Sequence, residues 1–530
     1  MSIAVSHKDI DILSDFVKSF IFNESDTDFL PIKNDFSHLA QHIEHREDFS
    51  QHQRNVLVDV LEQQYCFLSN DDKQKSLVWH NIQLLRNSST YTLTTGQQIH
   101  IFLGPMYVPH KILSAVANCK KLKEQHPNMD FVPIFWMATE DHDFEEIRSV
   151  KLWNKNFVWD EASGGAIGNL SCQHIIPIIE EIKTSFNLGE FERSCLNVFE
   201  QFYSESATLA EATTKIVNYF FGQYGVIALD ANNKRLKEFF KPFIVKEIKE
   251  SFAYQAVKTF SEKIKLHGFD TQIGARDTSL FLFDNNKRER IDRIENDKFK
   301  LVPSGKIYSQ NDLLELAETN PQLFSPNVAL RPLYEEVILP NIAYFGGAGE
   351  LAYWFQLVDV FAKADIPFPI LMLRKMAVYF NSKSMSAWNE LGFTEEDLLQ
   401  SVQKFTSILN EKITGQSQYA ELEADLDVLI QRSCDVSFAI DPQSVKSLKA
   451  LAKMWKKDLK SHFDSLSQKI IERNNQKISK AWKLKNMIFP ENDLQERNLS
   501  FLEFLFKFGK QHVDLFDWCS DNQYIQVVEF

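Results

Sequence analysis

Two polar clusters carry residue types that do chemistry, and each stands at the end of an apolar run: Tyr91-Thr92-Leu93-Thr94-Thr95-Gly96-Gln97-Gln98 and Phe135-Trp136-Met137-Ala138-Thr139-Glu140-Asp141-His142-Asp143. The second places three carboxylates and an imidazole within four residues, groups that hold a cation, orient an ammonium or exchange protons as acid and base. If the segment is extended, Glu140 and His142 share one face and Asp141 and Asp143 the other. A helix N-terminus gathering acids to complement its dipole would account for one of them. No second histidine stands at a zinc-ligand spacing, so no metal is predicted. After the first cluster come Gly104-Pro105-Met106-Tyr107 and Lys111. Gly96 and Gly104 would let backbone approach a ligand, and a helix start there would offer N–H groups to phosphate or carboxylate. The spacing matches neither a P-loop nor a Gly-x-Gly-x-x-Gly fingerprint, and Gln97 and Gln98 would equally serve to close a turn. A third cluster runs from Ser325 to Pro332 and on through Ala343-Tyr344-Phe345-Gly346-Gly347-Ala348-Gly349-Glu350. Glu350 in a first helical turn is partly dipole chemistry, whereas the fork of Arg331 suits a carboxylate or phosphate.

These residues need elements to position them. Both apolar runs have strand length, and a helix-compatible stretch from Pro109 to about Glu124 separates them, which predicts a βαβ unit with parallel strands. A right-handed crossover brings both polar clusters to one carboxyl edge, where open α/β sheets bind ligands. Further strands are predicted at Gly225–Asp230 and Phe368–Met372, with a helix from Glu350 to about Ala362. The fold class is α/β, a Rossmann-like parallel-sheet core with connecting modules and an α-helical coiled-coil arm. The expected organisation is a helical layer at 1–88, core at 89–250 and 326–392, a connecting module at 251–325, the arm at 393–489 and a returning segment at 490–530. The arm rests on a stripe of Val445, Leu448, Ala452, Trp455, Leu459 and Leu466, behind a helix start at Asp441-Pro442. A hairpin within the chain and a dimerisation arm fit that stripe equally.

The chain has 530 residues and a formal net charge of -14, which argues against an extended nucleic-acid surface. Its start lacks the basic, then long apolar, pattern of a secretory signal, and no window of about 18 to 20 apolar residues appears, so no membrane span is predicted and the cytoplasm is expected. Six scattered cysteines without a Cys-x-x-Cys pair read as reduced and packed, Cys119 among them.

Taken together and in this order, these motifs resemble the BshC family of cysteine-adding enzymes in bacillithiol biosynthesis. The resemblance extends through the helical tail to Pro490-Glu491-Asn492-Asp493-Leu494-Gln495-Glu496-Arg497. Two positions depart from the family pattern: His100 stands where a glycine is common, and Ala348 where a proline is common. The resemblance implies a ligase that joins cysteine to the amine of glucosaminyl malate, the last step of the pathway, in a homodimer formed through the arm. Making an amide in water needs an activated carboxyl group, so ATP or another nucleotide is expected, although neither a His-x-Gly-His pair nor a Lys-Met-Ser-Lys-Ser loop is present. On this reading Glu140, Asp141, His142 and Asp143 are catalytic. One or two of the acids would hold the ammonium of cysteine or deprotonate the sugar amine, with His142 as proton shuttle. Gln97, Gln98, Tyr107, Lys111, Arg331, Tyr344 and Glu350 would bind substrate, and Gly96, Gly104, Gly346 and Gly347 the cofactor. A metal-dependent amide hydrolase or deacetylase, and a non-catalytic dimeric scaffold, are the alternatives.

Overall fold

The computed structural model describes residues 2–4, 13–44, 46, 49–161, 164–295, 297–414, 416–509 and 525–529. Its central feature is a parallel sheet of β1 (Thr90–Gln97), β2 (Asp130–Met137), β3 (Ile227–Asp230), β4 (Asn341–Gly346) and β5 (Ile370–Leu373). The spatial order is β5-β4-β1-β2-β3. This is a Rossmann order, with the direction of winding reversing between β1 and β4. The expected βαβ unit is present: α1 (Tyr107–Gln125) crosses from β1 to β2, whose register pairs Thr90 with Asp130 and Gln97 with Met137.

Helix α1 forms because Val108, Ile112, Ala115, Cys119 and Leu122 recur at alternating four and three, giving one buried stripe. Ala115, Cys119 and Leu122 pack with Tyr91, Leu93, Phe131, Ile342 and Phe345 of the sheet. Burial there pushes the Cys119 thiol well above its ordinary value, as suits a packed, unreactive side chain. Strands covered on both faces read as nearly continuous apolar runs, and the threonines of β1 are the exception. Thr92 and Thr94 donate to Asn341 Oδ1 at 3.2 and 2.7 Å, and Thr95 to the Phe345 carbonyl at 2.7 Å. Side chains thus lace β1 to β4 where the ladder shifts between Asn341 and Ala343.

Upstream, Val56, Val58, Leu61 and Tyr65 are buried as their helical spacing predicts, and the Tyr65 hydroxyl accepts the Ala228 N–H of β3 at 2.8 Å. Downstream of β3 come α2 (Lys234–Glu250) and a helix at Phe252–Leu266. The stretch whose pattern looked loose then forms an antiparallel sheet, in the order Ile307–Ser309, Lys298–Val302, Lys287–Ile294, Leu280–Asp284, Phe324–Pro326. After it, α3 (Arg331–Ile338) leads into β4, and α4 (Ala348–Trp354) follows β4.

The helix expected from Glu350 to Ala362 is broken. A 3-10 turn at Phe355–Leu357 separates α4 from a second helix at Val358–Ala364. The tighter turn lets adjacent aromatics bury in different directions: Trp354 stacks near Tyr344 and Phe361, whereas Phe355 meets Phe16 and Phe20. The arm helix also starts later than its proline suggested. Asp441 sits in the turn between Gln416–Ile440 and Ser444–Arg473, where its Oδ1 accepts the Gln443 N–H at 3.0 Å. An Asx turn has taken the place of the expected N-cap.

The chain divides into two compact units, Leu13–Ala377 with Glu496–Ile525, and Met1–Ile12 with Val378–Gln495 and Gln526–Phe530. In the second, the helices Gln416–Ile440 and Ser444–Arg473 pack against each other as a hairpin. Of the predicted stripe, Ala452 is buried, Val445, Leu448 and Leu459 are half-buried, and Trp455 and Leu466 remain exposed. No helix among the described residues is long and apolar enough to cross a membrane. Cys66, Cys119, Cys172, Cys195 and Cys434 are free, and Cys519 lies outside the described residues.

Candidate active site

A cavity of about 500 Å³ opens at the carboxyl ends of the parallel strands, against both β1 and β4, where the winding reverses. That is the crevice in which open α/β sheets hold ligands. A second cavity of about 560 Å³ is lined by the antiparallel module, including Phe281 and Arg288. The two share Gln98, Asp141, Val328 and Arg331 as lining residues. Gln97 and Asp141, far apart in the chain, therefore meet at one cavity.

The four-residue acidic cluster is not extended. The Asp141 N–H donates to the Ala138 carbonyl at 3.2 Å, closing a turn that overrides the expected alternation of faces. Glu140 turns inward, is 6% exposed, and pairs with the fully buried Lys237 of α2 at 2.5 Å while accepting from Ser325 Oγ at 3.1 Å. Asp141 is gripped by both terminal nitrogens of Arg331 and lies 3.4 Å from Arg288 Nη1. Burial acts to raise the Asp141 carboxyl, but these two cations hold it below its ordinary value. Arg288 also donates to His142 Nδ1 at 2.9 Å. Because a guanidinium can only donate, Nδ1 must be the unprotonated nitrogen, and partial burial with that cation lowers the imidazole's affinity for protons. Asp143 is exposed at the start of the four-residue helix Phe144–Ile147, the helix-end position that explains one acid of the cluster. Asp230, at the end of β3, accepts from Thr139 Oγ1 and from the Asn232 N–H rather than reaching the cavity.

Glu140 is thus anchored to a buried lysine, with a stability consequence. Glu140→Ala is expected to cost about 3–5 kcal/mol, because it strands the Lys237 ammonium in the core. Combining it with Lys237→Met should recover most of that loss, and urea unfolding midpoints of the single and double variants measure both.

Lys111 is engaged in the same manner. It is 2% exposed, and its ammonium reaches the Gly96 carbonyl at 2.9 Å, Gln97 Oε1 at 2.7 Å and Glu350 Oε2 at 2.6 Å. Those contacts engage all three donors, so Lys111 clamps the end of β1 to α4 and keeps no donor for a ligand. Glu350 itself accepts the Gly347 N–H at 2.7 Å and the Tyr344 hydroxyl at 3.1 Å. Gln97 Nε2 donates to Tyr107 Oη at 3.3 Å. The predicted Gln97, Tyr107, Lys111, Tyr344 and Glu350 therefore form one hydrogen-bonded wall.

Other groups on the first cavity lack protein partners. Arg331 uses two of its five donors on Asp141, and no described residue engages the rest. Arg374 Nε, Gln98 Oε1 and Glu335 Oε1 are buried atoms with no hydrogen-bond partner among the described residues. Arg374 is fixed by its other nitrogens, which bind Glu496, and Glu496 Oε2 also meets His110 Nδ1 at 2.6 Å. The arrangement offers unmatched donors to carboxylate or phosphate and unmatched acceptors to an amine or hydroxyl.

Comparison with known proteins places this geometry. Residues 6–375 match the family model of the bacillithiol biosynthesis BshC N-terminal Rossmann-like domain, and residues 377–516 that of the BshC C-terminal coiled-coil domain. The chain belongs to the BshC family. It is 35% identical to a protein of Flavobacterium psychrophilum named "Putative cysteine ligase BshC", over 94% of this chain and 95% of that one. Proteins of the same name from Flavobacterium johnsoniae and Christiangramia forsetii are 32% and 34% identical, covering 93% and 90% of this chain and 94% and 88% of theirs.

Of the two positions singled out by the resemblance, Ala348 is the first residue of α4, a place that a proline would also fit. His100 has φ −63° and ψ 147°, ordinary extended backbone, and the positive φ values fall on Phe102, Leu103 and Gly104. Gly104 is a turn residue: at φ 71° a Cβ would lie 2.8 Å from the His100 side chain, and it does not line the cavity. Gly346 likewise lies off the cavity, while Gly96 and Gly347 line it. Sequence reasoning missed Arg288, Lys237, Glu335 and Arg374. Two had a usable signal, since Glu335 is four residues after Arg331 on one helix and Arg374 immediately follows a strand at its carboxyl end.

Proposed function

We propose that this chain is a ligase that forms the amide between the carboxyl group of L-cysteine and the amine of glucosaminyl malate, the last step of bacillithiol biosynthesis, acting in the cytoplasm. The names carried by its relatives support the reaction class. The observation that carries the reading is the pair of adjoining cavities with Asp141 and Arg331 in both linings, which gives two small molecules room beside one fixed cation. Arg331 and Arg374 Nε suit the carboxylates these substrates bear, Gln98 a hydroxyl or amine. Asp141 then orients Arg331 rather than abstracting a proton. Joining a carboxylate to an amine in water is uphill, so a nucleotide such as ATP is the proposed source of carboxyl activation.

Incubating the protein with cysteine, glucosaminyl malate and each nucleotide in turn tests this, with mass detection of the conjugate and of AMP or ADP. Conjugate appearing only with a nucleotide is the expected outcome; none under any combination would sink the ligase reading.

The arm is proposed to pair two chains. Val436, Phe438, Met454 and Trp455 are 62%, 63%, 53% and 46% exposed on the hairpin, an apolar surface rarely left to water. Phe438→Glu with Trp455→Glu is expected to convert a dimer to a monomer in sedimentation velocity.

A further inference from the structure

Helix α3 carries two ionisable side chains four residues apart, Arg331 and Glu335, and both line the first cavity. Arg331 turns to Asp141. Glu335 is left without a cation: it is 3% exposed, and its Oε1 has no hydrogen-bond partner among the described residues. Proteins rarely keep a buried carboxyl group in this condition, because its desolvation is then uncompensated. Other acids buried to a like degree in this unit are matched: Glu140, Glu336 and Glu496 each hold a cation, Glu247 accepts the Ala253 and Ser279 N–H groups, and Glu289 accepts from Ser304. Gln98 Oε1, on the same cavity, is a second unmatched acceptor.

Unmatched acceptors in a cavity call for a ligand rich in N–H donors. A metal ion is the weaker fit, since the described residues contain no group of three or more His, Cys, Asp or Glu side chains placed to hold one. A primary ammonium supplies three donors and the charge that a carboxylate complements. We propose that Glu335 is the ammonium receptor of this site, binding the primary amine of a substrate. The proposal rests on the ligase reading, in which both cysteine and the amino sugar carry such a group. It deepens that reading by moving amine recognition from the cluster at 140–143 to α3.

The proposal has a proton signature. Burial and the neighbouring Glu350 carboxylate push the Glu335 carboxyl well above its ordinary value, with Arg331 pulling the other way, so the site favours the protonated form. An ammonium docked against it favours the ionised form, and that proton leaves to solvent. Binding of the amine should therefore release up to about one proton and tighten as pH rises.

Glu335→Gln keeps the volume and a neutral side chain, so the fold should hold, which a thermal melt checks. The full chain is titrated calorimetrically with L-cysteine and with glucosaminyl malate, each in two buffers of different ionisation enthalpy. Parallel titrations use 3-mercaptopropionate, which lacks the cysteine amine, and the N-acetylated sugar. In the variant, one of the two amines is expected to lose about 10- to 100-fold in affinity together with its proton release, while the amine-free analogues bind as to the original protein. Which amine loses affinity identifies the source. If Glu335→Gln binds both amines within twofold and with unchanged proton release, the assignment to Glu335 is overturned and the ligase reading survives. If the original protein binds neither amine, both fall together.

Discussion

Replacing Arg331 by methionine is expected to lower conjugate formation by about 10²–10³-fold, the loss typical when one preorganised charge-stabilising donor leaves a closed site. Both terminal nitrogens of Arg331 grip Asp141, which fixes the guanidinium plane without engaging its other donors. A cation held this way needs no reorganisation to meet a carboxylate or a developing oxyanion. The variant must be separated from mere unfolding, because removing one partner of a buried pair is itself destabilising. Here the cost is softened: Arg288 remains 3.4 Å from Asp141, so a loss of about 1–3 kcal/mol is expected in place of the full penalty. Adding Asp141→Asn should return most of that stability and none of the turnover. Arg331→Met turning over within threefold of the original protein would remove Arg331 from the site. Recovery of turnover in the double variant would instead mean that the stranded Asp141 charge, and not the missing guanidinium, caused the loss.

The fold was legible wherever period and length agreed. Tyr91–Gln98 and Phe135–Met137 had strand composition, α1 had its stripe, and their parallel register followed from the crossover between them. The position of the cavity was legible for the same reason, since sheet topology decides where strand ends converge. The partners of its side chains were not legible. Glu140 looked like a site acid because nothing near it in sequence said that Lys237, on a helix almost a hundred residues later, would be buried beside it. Lys111 looked like a ligand cation, yet Glu350 and the Gly96 carbonyl close on it from α4 and β1. Pairing in three dimensions decides which charges stay available, and only the local signals survive in sequence: Gln97, Gln98 and Arg331 were singled out and line the first cavity, whereas Glu335 and Arg374, which line it too, were not singled out. The stretch at 251–325 was legible as a connecting module but not as an antiparallel sheet, for a different reason. Lys287–Ile294 shows no alternation, its two apolar residues Ile291 and Ile294 standing three apart, and its charges Arg288 and Glu289 are buried against polar partners rather than exposed.

The second large effect concerns the buried group behind the cavity wall. Glu496→Gln is expected to cost about 3 kcal/mol at pH 7 and to lose most of that difference on acidification. Glu496 is 1% exposed and binds Arg374 through both oxygens and His110 through one. Burial alone would raise its carboxyl, but Arg374 and the hydrogen bond from His110 overcome it and bring it from 4.5 down to about 2. A folded-state value below the unfolded one gives stability that is full above pH 4.5 and fades as pH falls toward 2; a shift of this size corresponds to about 3 kcal/mol. His110 adds to the same limb. Burial lowers its proton affinity from 6.5, so the unfolded chain takes up a proton in mild acid that the native state resists. Urea midpoints measured from pH 7 to pH 3 should therefore fall steeply for the original protein and more gently for Glu496→Gln, the two curves converging at the acid end. Parallel curves would mean that Glu496 is not the titrating group. Because Arg374 lines the first cavity with its Nε unpartnered and its other nitrogens rest on Glu496, the same variant should weaken binding of carboxylate-bearing substrate even at pH 7, where the protein is still folded. Stability and ligand recognition are coupled here through one guanidinium, held by its tips and presenting its remaining donor to the site.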